Sequence, residues 1–178
     1  QTRPGCDGEY QAELRNVQRL ISYKTPDIEI ISTTAISYHD GCHYYLDGYN
    51  ELAEKVFYKL ERDFYNICDN PLTYTPDIKN VFFPDKEQKA ICLVFSQNLK
   101  KMEPNLLNIL KDYFYSYPFS QEPLSIYQNK DSIILYYAFP NYSNRISYLP
   151  NKYYKNSTNV YEGPFLSNDL GIGVVSFI

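Results

Sequence analysis

The period of the hydrophobic pattern changes near residue 70, and this change limits the fold more than any other feature of the sequence. Before it, segments 7–23 and 48–65 repeat apolar residues at helical spacing, so each predicts an amphipathic helix. The run 28–34 between them is mostly β-branched, which predicts a largely buried strand of the kind found in parallel sheets. Helix, strand, loop and helix in this order are typical of the end of a doubly wound α/β domain. About sixty residues are too few to form such a domain alone.

Both predicted helices carry an apolar stripe that is expected to face a core. In the first helix the stripe consists of Leu14, Val17, Leu20 and Ile21. In the second it consists of Leu52, Ala53, Val56, Phe57, Leu60 and Phe64. Asp47 is the predicted N-cap of the second helix. The pairs Glu51–Lys55 and Lys59–Asp63 are predicted to form ion pairs on its solvent side.

Beyond residue 70 the pattern predicts short strands. Breakers such as Asn70-Pro71 and Thr75-Pro76 mark the linker 67–76. The predicted strands after it are 78–83, 90–96, 112–115, 124–128, 132–139, 146–149 and 173–178. Strands at this spacing favour an antiparallel sandwich. Residues 106–110 are compatible with one helical turn or with a loop. The predicted organisation is therefore an α/β segment over 1–66, a linker over 67–76 and a β-rich domain over 77–178.

Charge and cysteine spacing exclude several classes of function. The net charge of −4 gives no basic field, which argues against nucleic acid as the main partner. No run approaches the ~18 apolar residues that a membrane span requires. No Cys-x-x-Cys pair is present, so the spacing of a zinc site is absent. No cofactor is predicted. Free buried thiols and one disulfide both remain open for the four cysteines, Cys6, Cys42, Cys68 and Cys92. A chain that begins at Gln1, without Met, is expected to be processed or to be a fragment.

The loop before the second helix holds the candidate chemistry. It contains both histidines of the chain, His39 and His43, and Asp40 lies three positions before His43. A neutral imidazole is suited to accept a proton near pH 7, and it needs an acceptor that holds its other nitrogen. An Asp-x-x-His loop that runs into a helix supplies both, so Asp40 and His43 are the predicted catalytic pair. The alternative is a solvated loop histidine, and His39 is predicted to be a surface or structural residue.

The sequence Asp40-Gly41-Cys42-His43, followed by Gly48-Tyr49 and a helix, resembles the last block of the SGNH (GDSL-like) hydrolases. It is most similar to the sialate O-acetylesterase type of carbohydrate esterase, over residues 1 to about 66. The upstream helix with Leu14-Arg15 and Gln18-Arg19 also looks like the helix before this block. The β-rich remainder resembles the C-terminal domain of some bacterial members. The resemblance implies the tail of a doubly wound SGNH-type α/β domain followed by an antiparallel β-sandwich-like domain.

The resemblance also implies roles for the candidate residues. His43 would be the general base that activates a serine, and Asp40 would orient the imidazole and stabilise the imidazolium. The serine would attack an acetyl carbonyl and form an acyl-enzyme that water hydrolyses. The sequence contains neither the Gly-Asp-Ser block nor the Gly-x-Asn block of the family. The implied partners are therefore the N-terminal portion of the same enzyme, which carries the nucleophile, and an acetylated glycan. The chain alone is expected to be inactive, and its expected location is secreted or periplasmic.

Two other interpretations remain. Cys42 lies between Asp40 and His43 and is a possible nucleophile. Alternatively, the β-rich domain is a glycan-binding or structural module without catalysis. Its tyrosines are either a sugar-stacking platform or residues of the sandwich core and edges. The tyrosines in question are Tyr142, Tyr148, Tyr153, Tyr154 and Tyr161.

Overall fold

The computed structural model describes residues 1–2, 11–65, 70–118, 121–149 and 163–178. Within these ranges the fold combines helices with antiparallel sheets and contains no closed barrel. The helices are α1 (Gln11–Lys24), α2 (Leu46–Tyr65) and α3 (Pro104–Leu110), with 3₁₀ turns at Pro71–Thr73 and Lys111–Tyr113. The strands are β1 (Ile78–Phe82), β2 (Ala90–Phe95), β3 (Phe114–Tyr117), β4 (Ser125–Asn129), β5 (Ser132–Tyr136) and β6 (Arg145–Tyr148). This composition is compatible with the predicted α/β plus β class.

The first six predicted strands are present, with ends that differ slightly from the prediction. They form a four-stranded sheet of order β1-β2-β5-β4 and a two-stranded sheet of β3 and β6, and all pairs are antiparallel. The two sheets and α3 share one core, which includes Leu93, Leu135, Leu110 and Tyr148. Residues 106–110, for which the sequence leaves a helical turn or a loop, belong to helix α3, and Leu107 and Leu110 are buried.

The predicted strand 173–178 is wrong, because the segment forms only isolated bridges. It crosses from the β sheets to the helical part of the chain instead of lying along one neighbour. The amide of Val174 donates to the carbonyl of Leu166 at 2.8 Å, and the amide of Tyr148 donates to Phe177 at 3.0 Å. On the other side, Nε of the buried Arg15 donates to Oγ of Ser176 at 2.8 Å. The C-terminal segment thus ties α1 to the β-rich part.

The predicted strand 28–34 is also wrong, because it lies in no ladder. A strand needs a neighbouring strand whose backbone pairs with its own, and this segment is held instead by hydrogen bonds from side-chain hydroxyls. The hydroxyl of Thr75 donates to the carbonyl of Ile30 at 2.7 Å. The hydroxyls of Ser32 and Thr34 both donate to the carbonyl of Val174. The segment is therefore held as an extended connection rather than as part of a sheet.

Helix α2 begins at Leu46, two residues before the predicted start, so Asp47 lies in the first turn and is not the N-cap. Its predicted ion pairs on the solvent side are wrong as well. Lys59 is buried and bonds to Glu29, whereas Asp63 pairs with Arg62. The predicted beginning of the first helix, at residue 7, lies outside the described residues. Both helices bury cationic side chains against the rest of the structure, Arg15 in α1 and Lys59 and Arg62 in α2.

Candidate functional site

The loop that carries the candidate pair is a tight turn between residues 38 and 45. The amide of Tyr45 donates to the carbonyl of Tyr38 at 2.8 Å, and the amide of Asp40 donates to the carbonyl of His43 at 3.0 Å. Gly41 occupies the turn with φ +105°, a conformation that side-chain-bearing residues avoid. These bonds fix the backbone on both sides of the pair.

Helix α2 holds this loop in place. A Cβ at Gly48 would lie 2.7 Å from the carbonyl oxygens of both Ser37 and Tyr38, so the helix approaches the loop closely only because this residue is glycine. Glu51 accepts a hydrogen bond from the amide of Ser37 at 2.8 Å. The hydroxyl of Tyr44 donates to the carbonyl of Thr33 at 3.1 Å. The loop is therefore attached to α2 and to the extended segment before it.

The structure brings Asp40 and His43 together. Nδ1 of His43 lies 3.1 Å from Oδ2 of Asp40, while Oδ1 of Asp40 accepts the backbone amides of Cys42 at 2.8 Å and His43 at 2.7 Å. The amides of His43 and Cys42, followed by the His43 side chain, lower the pKa of Asp40 to about 2. An ionised carboxylate only accepts, so Nδ1 carries the proton and Nε2 of the neutral ring is the unprotonated nitrogen.

The pair is open to solvent. The side chain of His43 is 79% exposed and that of Asp40 is 44% exposed. The imidazole is therefore oriented through Nδ1 while its ring lies at the protein surface. A reaction at Nε2 requires a group that approaches from the solvent side.

His39 has a different environment. Its Nδ1 accepts the amide of Gly41 at 3.2 Å, and its ring meets the ring of Tyr44 edge-on at 6.4 Å. These contacts stabilise the turn, which is the structural role predicted for His39. Within the described ranges, no group of three or more His, Cys, Asp or Glu side chains is arranged to hold a metal ion.

The structure describes two of the four cysteines, Cys42 and Cys92. Cys42 is disulfide-bonded, so it supplies no free thiolate, and the interpretation of Cys42 as a nucleophile is wrong. Cys92 is a free, buried thiol whose pKa is raised by burial. Cys6 and Cys68 lie outside the described residues. Of the two alternatives that the sequence leaves open, Cys42 is in a disulfide and Cys92 is a free buried thiol.

Of the five tyrosines considered for a sugar-stacking platform, the structure describes one in the core and one at the surface. Tyr148 is a core residue, stacked on Phe114 with ring centroids 5.1 Å apart. Tyr142 is exposed. Tyr153, Tyr154 and Tyr161 lie outside the described residues.

Sequence reasoning missed Gly48 and Glu51 as the residues that position the loop. The predicted ion pair of Glu51 with Lys55 is absent among the described contacts, since Lys55 contacts Glu54 and the carbonyl of Leu170. The glycine in the first turn of an amphipathic helix was an available signal, since glycine there has a cost that close packing can offset.

Comparisons with known proteins include a solved structure of similar fold. No protein-family model and no curated protein matches the sequence. A carbohydrate acetylesterase from Xanthomonas citri matches with a TM-score of 0.50 and 12% identity, over 76% of this chain and 28% of that enzyme. The likeness is one of fold. Residues 1–66 are less than two fifths of the 178-residue chain, so the likeness must extend into the β-rich part. Among the described helices, none has both the length and the apolar character needed to cross a bilayer.

Proposed function

We propose that this chain is the C-terminal part of a carbohydrate O-acetylesterase of the sialate type. It supplies the Asp and His of a Ser-His-Asp ester-hydrolysis site, and the serine comes from polypeptide outside this chain. The observation that carries the proposal is the geometry of the pair. Asp40 bonds to Nδ1 of His43 at 3.1 Å, so Nε2 is the ring nitrogen that can accept the proton of a serine. The likeness to a carbohydrate acetylesterase of which this chain spans 28% supports the same conclusion.

The proposed reaction follows from the protonation states. Nε2 of His43 accepts the proton of the serine hydroxyl as the serine oxygen attacks the acetyl carbonyl. Asp40 remains ionised because its pKa is about 2, and it stabilises the imidazolium that forms. The imidazolium then donates its proton to the departing sugar oxygen. A water molecule, deprotonated by His43, hydrolyses the acyl-enzyme and releases acetate.

The compartment is part of the proposal. A disulfide at Cys42, one residue before His43, is the kind of bond that persists in oxidising surroundings. This supports a secreted or periplasmic enzyme, where acetylated glycans are the substrates. Cys42 itself belongs to the loop of the pair, so its disulfide is expected to restrict the motion of that loop.

The decisive experiment uses the longer protein that includes the residues encoded ahead of Gln1. It is expected to hydrolyse an aryl acetate, and His43→Ala should lower kcat/KM by about 10⁴-fold. His39→Ala is the matched control from the same loop, and it should retain most of the turnover. Unchanged turnover in the His43→Ala enzyme would end the proposal.

A second function is favoured by the exposed aromatic residues of the β-rich part. Phe139 and Tyr142 are both exposed, and exposed rings are the groups on which sugars stack. In that case the chain is a glycan-binding or structural module and its histidine pair is not used. Binding of a glycan array by the 178-residue chain, lost in Phe139→Ala or Tyr142→Ala, together with the absence of a serine-bearing turn ahead of Gln1, would favour this function.

A further inference from the structure

A cavity of about 370 Å³ opens beside β1, the edge strand of the four-stranded sheet. One wall is formed by Ile78, Val81 and Phe82 of this strand and by Phe83, which follows it. Val81 lies opposite Leu93 in the register, and directly opposed residues share one face of a sheet. Leu93 is fully buried in the core, so Val81 is on the core side as well, yet it is 44% exposed. The core side of the edge strand is therefore open.

The unequal sizes of the two sheets explain this opening. Four strands share a core with a sheet of two strands, β3 and β6, and so small a sheet does not cover the edge strand of the larger one. The inner end of the cavity is formed by Ile91 of β2, Ile146 of β6 and Phe177, all of which are buried. A cavity that is mostly apolar and carries a few polar groups is typical of small-molecule sites, whose volumes are about 300–1,000 Å³.

The polar residues of the cavity, Ser143, Asn144 and Arg145, come from one short segment at the beginning of β6. Its backbone is fixed, since the amide of Ser143 donates to Oδ1 of Asn141 at 2.9 Å. The amide of Asn144 donates to the carbonyl of Tyr117 at 3.0 Å. Arg145 carries the only charged side chain among the described residues that line the cavity. It is exposed, and no carboxylate in the described ranges pairs with its guanidinium, which is therefore available to an anion.

We propose that this cavity binds a monocarboxylate with an apolar chain of about six to ten carbons. The chain lies between the core side of β1 and the buried inner end of the cavity, and the carboxylate lies at the rim beside Arg145. A guanidinium suits this role because its fixed N–H donors match the two oxygens of a carboxylate. The lining includes no residue of the loop 38–45 or of α2, so this site is independent of the Asp40–His43 pair and of the proposed function.

Two other ligands fit the lining less well. A neutral sugar has hydroxyls around its whole ring, and those facing Ile91, Ile146 and Phe177 would be buried without hydrogen-bond partners. An extended peptide added to the edge of β1 would bind through main-chain hydrogen bonds, which make no use of a guanidinium. A carboxylate at one end of an apolar chain matches both the apolar walls and the single cation.

The test is isothermal titration calorimetry of the 178-residue chain with octanoate, 1-octanol and acetate. Octanoate should bind, and Arg145→Gln should weaken its binding by at least about tenfold while leaving that of 1-octanol unchanged. Lys79→Gln is the matched control, because it removes an exposed cation of β1 that does not line the cavity, and it should leave octanoate binding unchanged. Val81→Trp should fill the cavity and abolish octanoate binding. Arg145 and Val81 are both exposed, so these variants should fold.

The three probes separate the contributions of the chain and of the carboxylate. Octanoate binding that is lost in Arg145→Gln and kept in Lys79→Gln supports the site. No octanoate binding at millimolar concentration, or binding that survives both Arg145→Gln and Val81→Trp, overturns it. Binding of 1-octanol as tight as that of octanoate removes the role of the guanidinium, and equally tight binding of acetate removes that of the apolar chain. Tighter binding of a neutral methyl glycoside, or of an apolar peptide with blocked ends, overturns the assigned ligand class.

Discussion

Glu29 is the residue that determines which face of α2 turns inward. Its carboxylate bonds to Nζ of Lys59 and to the guanidinium of Arg62. The side chains of Lys59 and Arg62 are only 7% and 8% exposed, whereas that of Glu29 is 34% exposed. Removing one partner of a fully buried ion pair costs about 3–5 kcal/mol. Because solvent reaches Glu29 and screens part of the interaction, we expect Glu29→Gln to lower the free energy of unfolding by about 2 kcal/mol.

This loss should depend on pH in a defined direction. Burial lowers the pKa of Lys59 below its ordinary value of 10.5, and Glu29 opposes that shift. In Glu29→Gln the pKa of Lys59 falls further, so the folded protein releases a proton that the unfolded chain retains. Stability then rises with pH between the lowered folded pKa and 10.5. The difference between the variant and the wild type should therefore shrink as the pH is raised from neutral toward 10.

The assay is urea unfolding followed by circular dichroism, with thermal melts as a second measurement. For a chain of this size, a loss of about 2 kcal/mol corresponds to a fall of about 4–8 °C in Tm. Glu54→Gln removes an exposed carboxylate from the same helix and should change the free energy of unfolding by less than about 0.5 kcal/mol. Adding Lys59→Met to Glu29→Gln removes the uncompensated cation and should recover part of the loss. An unchanged Glu29→Gln protein, or a double variant less stable than the single one, would refute the reasoning.

Two further predictions concern other contacts. The Asp40 carboxyl should titrate near pH 2 when followed by NMR, because its folded pKa is lowered to about 2. Its contribution to stability is present above the ordinary pKa of 3.8 and is lost as the pH falls through about 2. A titration midpoint near 3.8 would contradict this prediction. Gly173→Ala should lower the free energy of unfolding by about 1–3 kcal/mol in urea, since the added methyl would lie 2.3 Å from Oγ1 of Thr34 and 2.8 Å from the amide nitrogen of Ala35. An unchanged midpoint would show that the C-terminal segment is not packed against residues 34–35.

The β-rich part was largely predictable because its pattern is local. Strand β2 is a continuous apolar run whose residues are nearly all buried. Strands β4 and β5 lie close to the strands predicted at 124–128 and 132–139, and residues between them form the turn. The segment 173–178 is equally apolar, yet it is not a strand. Its hydrogen-bond partners are Leu166, Tyr148 and side chains of the helical part, and no local pattern specifies partners so distant in sequence.

The contact between Asp40 and His43 was predictable from the sequence, but the attachment of their loop to α2 was not. An Asp three positions before a His, with Gly between, can close an Asx-type turn from local chemistry alone, and Asp40 accepts the amides of Cys42 and His43 accordingly. The attachment of that turn to α2 depends on Gly48 and Glu51. Their role appears only when the helix and the loop are placed together.

The helices show why periodicity alone does not determine what is buried. The pattern of α2 correctly predicts an amphipathic helix, but the structure buries Lys59 and exposes Phe57 and Phe64. Periodicity identifies the face that a helix can bury, and a partner must be available to bury it. Glu29 provides a partner for the cationic face, whereas Phe57 and Phe64 of the predicted stripe stay exposed in the described structure. Which face a helix buries therefore depends on the partners that the rest of the fold supplies, and periodicity does not specify those partners.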